Sequence, residues 1–177
     1  MQIHDHVFEK FISADEIASV VNRLAKEIND DYSGKELVII IILKGAFIFA
    51  ADIVRLLQIP NRIEFLSANS YGSSMNSSGV VEFTVPDYNF KDKHILIIED
   101  IIDTGLTLTS ITTALQKFSP ASLEIVTLIS KSSMRIIDIH VKYVGIEIPP
   151  IFIIGYGLDY DERGRNLPDI YSKIPSG

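Results

Sequence analysis

The sequence contains no cysteine. Disulfide frameworks, thiolate metal sites and thiol nucleophiles are therefore excluded. A basic excess is missing as well: 16 Lys and Arg stand against 23 Asp and Glu, a formal net charge of −7. That balance argues against a general nucleic-acid or anionic-membrane surface, while leaving room for a local basic pocket that holds phosphates. No apolar run reaches membrane-spanning length. The greasiest stretch, "LVIIIILKGAFIFAA" from Leu37 to Ala51, is broken by Lys44 and Gly45 and falls short of the ~18 uninterrupted apolar residues that a spanning helix needs. The opening "MQIHDHVFEK" carries acidic residues and lacks the basic start and apolar segment of a secretory signal. A cytoplasmic protein is expected. No repeat and no linker divides the 177 residues, so a single domain, 1–177, is expected; a chain of this length can bury about 70% of the surface it exposes when unfolded.

What the sequence does contain is an alternation of two periodicities. Ile17, Val20, Val21, Leu24 and Ile28 recur at helical spacing, and Ser13 with Glu16 three residues on predicts a capping box at the helix start. "ELVIIIIL" then reads as a strand buried on both faces, as in parallel sheets. Gly45 to Gln58 returns to a helical pattern that Pro60 ends. "RIEFLSAN", "HILIIED" and "SLEIVTLIS" are further strands, with the helix "LTLTSITTALQKF" between the last two. "VKYVGIEI" and "IFIIGYGL" read as two more short strands before a polar tail. The expectation is an α/β protein with a doubly wound, mostly parallel sheet flanked by helices. One stretch stands apart: "SYGSSMNSSG", Ser70 to Gly79, has five serines and two glycines and cannot bury a core face. It fits a surface loop, which composition alone favours, or a lid over a site.

"IIEDIIDTGLTLT", Ile97 to Thr109, raises a chemical question. In open α/β sheets, ligands bind beyond the carboxyl ends of the strands, where the next helix points its N-terminus. The turn Asp103-Thr104-Gly105-Leu106-Thr107 would present free backbone N–H groups and a positive helix end, which is a phosphate cradle. It is not a Walker loop, because no lysine follows the glycine. Yet Glu99, Asp100 and Asp103 would repel a phosphate. A ligand with a phosphate at one end and vicinal hydroxyls at the other resolves the conflict: the amides take the phosphate, and Glu99 and Asp100 accept from the hydroxyls. A 5-phosphorylated ribose has this layout, and Mg2+ on its oxygens would offset the remaining repulsion.

The segment "ILIIEDIIDTGLTLT" resembles the phosphoribosyl pyrophosphate motif of type I phosphoribosyltransferases, and most closely that of hypoxanthine-guanine phosphoribosyltransferases. "ILKG", "SYG", "ISK", "IFIIGYGLDY" and "RGRNLP" match the same family in order and similar spacing, so the likeness covers most of the chain. It implies the type I fold with a small hood and a mobile loop. The activity it implies is purine salvage, in which hypoxanthine or guanine displaces pyrophosphate from 5-phosphoribosyl 1-pyrophosphate. A xanthine-preferring enzyme and a non-enzymatic sensor of the same fold are the alternatives; the sensor would need an added nucleic-acid-binding element or a basic face, and neither is present.

The resemblance assigns roles residue by residue. Asp103 corresponds to the acid/base residue at purine N7; the competing reading is a helix cap. Thr104, Gly105, Leu106 and Thr107 correspond to the 5-phosphate cradle, and Glu99 and Asp100 to the ribose and Mg2+ ligands. Lys44 and Gly45 match the pyrophosphate loop, where family members carry a non-proline cis peptide before the lysine, and Arg165 matches a pyrophosphate-binding arginine. Lys131 would donate to the C6 oxygen of the purine, Phe152 would stack on the base and Ile153 would offer its backbone to the 2-position edge. Asp159 matches the ligand of a second Mg2+ on pyrophosphate, and Ser70 and Tyr71 match the mobile loop. The family forms dimers and tetramers. Leu106 is a departure, since many members place lysine or asparagine there; it bears on any extra polar contact in the cradle or across a subunit interface, not on main-chain binding.

Overall fold

The computed structural model describes residues 1–70 and 81–174. The chain opens with two short strands, β1 (Gln2–Ile3) and β2 (His6–Ile12), ahead of helix α1 (Ala14–Asp31). The capping box is present: Ser13 Oγ accepts from Glu16 N at 3.3 Å and Glu16 Oε2 accepts from Ser13 N at 2.9 Å. Ile17, Val21, Leu24, Ala25 and Ile28 form the buried stripe of α1.

There follow β3 (Leu37–Leu43), α2 (Phe47–Leu56), β4 (Asn61–Ser70), β5 (Val81–Phe83), β6 (His94–Ile102), α3 (Leu106–Gln116), β7 (Ser122–Ser130), β8 (Tyr143–Glu147), β9 (Ile153–Ile154) and β10 (Ile170–Lys173). The main sheet has the order β5-β4-β3-β6-β7-β8. Its strands run parallel except β5, which returns antiparallel along β4. The reason lies in the β-branched runs. Leu37, Ile39 and Ile41 of β3 pack into the core shared with α1 and α2, while Val38, Ile40 and Ile42 join the core shared with α3. A strand with both faces buried has no solvent face for polar residues, so its sequence shows no alternation.

A second, antiparallel sheet has the order β1-β2-β10-β9 and ties the two ends of the chain together, with Phe8 and Ile170 buried. This is the small hood that the family resemblance implies. Periodicity does not predict its β1, β2 and β10, and the stretch that reads as a polar tail is in part strand β10. "IFIIGYGL" also differs from expectation: only Ile153 and Ile154 are strand, because Gly155, Tyr156 and Gly157 at φ 103°, 51° and 101° take left-handed backbone that no strand can continue through. The second helix begins at Phe47 rather than Gly45, residues 44–46 being turn. Among the described residues, no helix is long and apolar enough to cross a membrane.

Candidate active site

Parallel strands bring their carboxyl ends to one edge of the sheet, and the candidate residues follow those ends: Lys44 after β3, Glu99 to Asp103 at the end of β6, Lys131 after β7. The register is continuous there, with Ile41 opposite Ile98 and Ile102 opposite Ser130. Lys131 N donates to Ile102 O at 2.9 Å, which carries the pairing one residue beyond β7.

The phosphate cradle has the expected geometry. Gly105 is the N-cap of α3 at φ 83°, and no side chain caps the helix. Asp103 is therefore not the cap. The N–H groups of Thr104, Gly105 and Thr107 donate to no acceptor among the described residues, and Leu106 N makes only a long bond, 3.4 Å, to Thr104 Oγ1. These free amides and the positive helix end form a site for a phosphate. The loop itself is held from behind: Thr104 O accepts from Ile136 N at 3.1 Å and Ile137 N at 3.3 Å. A side chain at Gly105 would come within 3.2 Å of Ile137 O, so the turn has neither the space nor the φ for one.

The two adjacent acids at the end of β6 are split by the pleat. Asp100 faces α2 and packs against Gly45, where an added Cβ would overlap Asp100 Oδ2. Alternation sends Glu99 to the other face, that of Ile95 and Ile97. Glu99 Oε2 is buried without a hydrogen bond, and burial together with the repulsion of Asp100 pushes its carboxyl well above the ordinary range. Burial likewise raises Asp100 to about 6, opposed by the Ile101 N–H that Oδ1 accepts at 2.9 Å and by the Arg165 charge. Each acid is a hard oxygen group on its own face of β6, of the kind that a divalent cation such as Mg2+ accepts, and Glu99 Oε2 has no hydrogen-bond partner to give up. No set of three or more acidic or histidine side chains converges on one point among the described residues, so further ligands to such an ion would come from substrate and water.

Lys131 is buried at 8% exposure and its Nζ lies 3.0 Å from Asp103 Oδ1, an ion pair without hydrogen-bond geometry. Their positions beside the cradle bring a donor and an acceptor to one spot. The segment after Lys131 is anchored by Glu147 Oε1, which accepts from Ser132 N at 2.5 Å, and by Arg135, which donates to Ser130 Oγ at 3.0 Å.

A second cluster gathers around Arg165. It donates from Nη1 to Gly157 O at 2.8 Å and pairs through Nη2 with Asp159 Oδ1 at 2.8 Å, while its Nε is buried without a partner. Asp159 Oδ2 accepts from Glu162 N at 2.8 Å, so both oxygens of the expected metal ligand are engaged within the protein. Gly157 packs on Gly45 O so closely that a Cβ would overlap it, which places this cluster against the Lys44 loop. The Leu43–Lys44 peptide is cis, as the family resemblance implies.

Phe152 and Ile153 stand on the hood side. Phe152 is 45% exposed, edge-on to Tyr160 at 5.7 Å, and Ile153 is buried opposite Ser172. The alternative of an ordinary core phenylalanine is thereby removed. Neither residue contacts Lys131 or Asp103 by hydrogen bond or ring among the described residues. Ser70 ends β4, and Tyr71 lies outside the described residues. Sequence reasoning misses Glu162, whose carboxylate touches Lys44, and Arg135 beneath the cradle; the only sign of the former is the dense mixing of charges in "DYDERGR". A cavity of about 590 Å3 between α1, α2 and residues 166–168 is lined by Ile17, Val21, Ile48 and Tyr156, among others, and holds none of these acids.

A free-amide turn between a buried parallel strand and a helix, with acids beside it, is the arrangement that the sequence predicts for gripping a sugar phosphate. The family model for the phosphoribosyl transferase domain matches residues 13–161, and the chain belongs to that family. It is 42% identical over 166 residues to a hypoxanthine phosphoribosyltransferase of Haemophilus influenzae, covering 92% of this chain and 93% of that one. To a hypoxanthine-guanine phosphoribosyltransferase of Staphylococcus aureus it is 41% identical over 175 residues, covering 98% and 97%. The crystal structure of a hypoxanthine-guanine phosphoribosyltransferase from Bacillus anthracis superposes with a TM-score of 0.88 at 40% identity, covering 94% of this chain and 98% of that one.

Proposed function

We infer that this chain is a purine salvage enzyme: it transfers 5-phosphoribose from 5-phosphoribosyl 1-pyrophosphate to hypoxanthine, guanine or both. The products are the nucleoside monophosphate and pyrophosphate. The observation that carries this reading is the meeting of the free amides of residues 104–107 with the Asp103 and Lys131 pair at the same sheet edge.

The amides of Thr104, Gly105, Leu106 and Thr107 hold the 5-phosphate. Asp100 and Glu99 take the ribose hydroxyl edge, and they are also the residues that would hold Mg2+, which when bound neutralises charge on the sugar and pyrophosphate oxygens. Lys44, the Gly45 backbone and Arg165 bind the pyrophosphate, and Asp159 keeps Arg165 aimed; to hold a second ion it would give up its bond from Glu162 N or its pair with Arg165. At the other end, Lys131 Nζ donates to the purine C6 oxygen and Asp103 accepts the proton from N7. As N9 forms its bond to C1′, the bond from C1′ to the pyrophosphate oxygen breaks, and the N7 proton passes to the Asp103 carboxylate. Phe152 supplies a flat face to the base, and the backbone of Ile153 lies beside it for the 2-position edge. Fixing both reactants in this order converts a bimolecular collision into a positioned displacement. Ser70 and Tyr71 are proposed to close over the sugar. By analogy with the family, the chain self-associates as a dimer or tetramer. The whole chain acts as one domain, and the lack of cysteine fits the reducing cytoplasm.

The test is a spectrophotometric assay with phosphoribosyl pyrophosphate, Mg2+ and each purine in turn. Turnover with hypoxanthine or guanine is expected. Turnover with adenine alone would overturn the role of Lys131, and no turnover with any 6-oxopurine would overturn the function.

A further inference from the structure

Lys44 and Arg165 are far apart in sequence, yet one carboxylate touches both. Glu162 Oε1 lies 2.9 Å from Lys44 Nζ, and Glu162 Oε2 lies 3.4 Å from Arg165 Nη2. The backbone that delivers this carboxylate is unusual. Tyr160 and Arg163 exchange backbone hydrogen bonds of 2.9 and 3.1 Å, so Asp161 and Glu162 are the central pair of a two-residue hairpin, at φ 50° and 61°. Such turns favour Asn-Gly or Asp-Gly, because a side chain at positive φ crowds its own backbone. Here Asp161 is followed by Glu rather than Gly. Residues held in sparsely populated backbone regions concentrate where a function needs their side chain.

The aim of that side chain is fixed from both directions. Glu162 N donates to Asp159 Oδ2 at 2.8 Å, Asp159 Oδ1 holds Arg165 Nη2 at 2.8 Å, and Arg165 Nη1 donates to Gly157 O at 2.8 Å. Gly157 in turn packs on Gly45 O, directly after Lys44. Backbone and side chain therefore form one closed circuit, and the Glu162 carboxylate is the anion at its centre.

We propose that Glu162 is a positioning residue that competes with pyrophosphate: its two oxygens occupy the place between Lys44 and Arg165 that pyrophosphate oxygens take. The proposal rests on the assignment of Lys44 and Arg165 to pyrophosphate. Binding of phosphoribosyl pyrophosphate then exchanges one anion for another instead of bringing an anion to bare cations, and release of pyrophosphate is assisted by the returning carboxylate. Lys44 and Glu162 side chains are 68% and 63% exposed, so their pair is screened by water and readily displaced.

Two variants test this in the full-length enzyme. Glu162→Gln keeps the shape and removes the charge; Glu162→Gly removes the side chain and supplies the residue that the turn geometry favours. In both, the KM for phosphoribosyl pyrophosphate and the inhibition constant of inorganic pyrophosphate should fall together by about two- to five-fold, the range of an exposed ion pair, while the KM for hypoxanthine stays unchanged. Glu162→Gly should also melt at a higher temperature than the wild type, which separates anion competition from any loss of folded protein. A rise in either constant in both variants would show that Glu162 helps bind the substrate and would overturn the proposal. Unchanged constants in both variants, with normal wild-type turnover, would sink this proposal alone; absence of wild-type turnover with any 6-oxopurine would sink the functional reading and this proposal with it.

Discussion

The proposed phosphate cradle and the proposed pyrophosphate cluster around Arg165 are built in opposite ways. The cradle is a contiguous segment, Glu99 to Thr107, at the end of a strand paired on both sides, and it offers backbone amides and a helix end. The Arg165 cluster joins Lys44 to residues 157–165 through side-chain ion pairs, on turns where Gly155, Tyr156, Gly157, Asp161, Glu162 and Gly164 all have positive φ. Main-chain dipoles fixed by a buried sheet cannot adjust without disturbing the core. The Lys44–Glu162 pair, exposed on both sides, can exchange partners at little cost. In the proposed reaction the 5-phosphate, which stays bound, is thus matched to the rigid region, and pyrophosphate, which leaves, to the adjustable one.

By that contrast, changes at the β6 end act on chemistry or on folding in large steps. Asp103→Asn keeps the size of the side chain but removes the proton acceptor, and kcat should fall by about 10²–10⁴-fold, the range of a lost general base. Steady-state rates with saturating hypoxanthine measure it; a fall confined to KM would return Asp103 to a binding role. Next in size is Asp100. Its carboxyl is raised to about 6 against 3.8 in the unfolded chain, so the folded protein holds the proton through a window in which the unfolded chain has lost it. The associated stability is full below pH 4 and is lost as pH rises to 6 and above. A shift of that size corresponds to on the order of 3 kcal/mol. Asp100→Asn carries no such loss, so its unfolding free energy relative to the wild type should climb by about that amount between pH 3.5 and pH 7.5. Denaturant titrations at the two pH values would reveal it, and a pH-independent difference would contradict the burial-driven shift.

The same contrast explains which features are legible in the sequence. The α/β alternation and the cradle are legible because both depend on local pattern: Val38 to Ile42 need no partner to announce a buried strand, and Asp103 to Thr107 form their turn from neighbours in sequence. The opposite orientation of Glu99 and Asp100 is also available there, since a strand's pleat alternates. The hood is not. In β2 only Phe8 and Ile12 are buried, and its partner β10 lies more than 150 residues away, so neither segment carries a pattern of its own. "IFIIGYGL" misleads for a related reason: Ile153, Ile154 and Leu158 are apolar because they are buried, while the backbone between them turns. Glu162 is hidden because charge in an exposed turn looks the same whether it is solvated or aimed at Lys44.

Substitutions among the residues proposed to meet the base should produce smaller, specificity-directed effects. Lys131→Met preserves the buried stem and deletes the ammonium that faces Asp103. Loss of a charge-assisted hydrogen bond is worth about 1.5–3 kcal/mol, or roughly 10- to 100-fold in kcat/KM for hypoxanthine. Adenine, which gains nothing from that donor, should be affected much less, and equal losses for both purines would count against a contact to the C6 oxygen.

Phe152 sits at the end of this scale. It directly precedes β9 of the hood, where Lys173 N donates to Phe152 O at 2.9 Å, and the residue is 45% exposed beside Tyr160. Replacing it with Leu keeps apolar contact but removes the flat π face, which contributes about 0.5–1.5 kcal/mol beyond area burial. The KM for hypoxanthine should therefore rise by roughly two- to ten-fold with kcat and the KM for phosphoribosyl pyrophosphate little changed, because the ring meets the base and not the reacting carbon. A loss in kcat comparable to that of Asp103→Asn would mean that the hood takes part in the chemistry as directly as the strand end does, and the division between a rigid reacting edge and an adaptable far wall would fail.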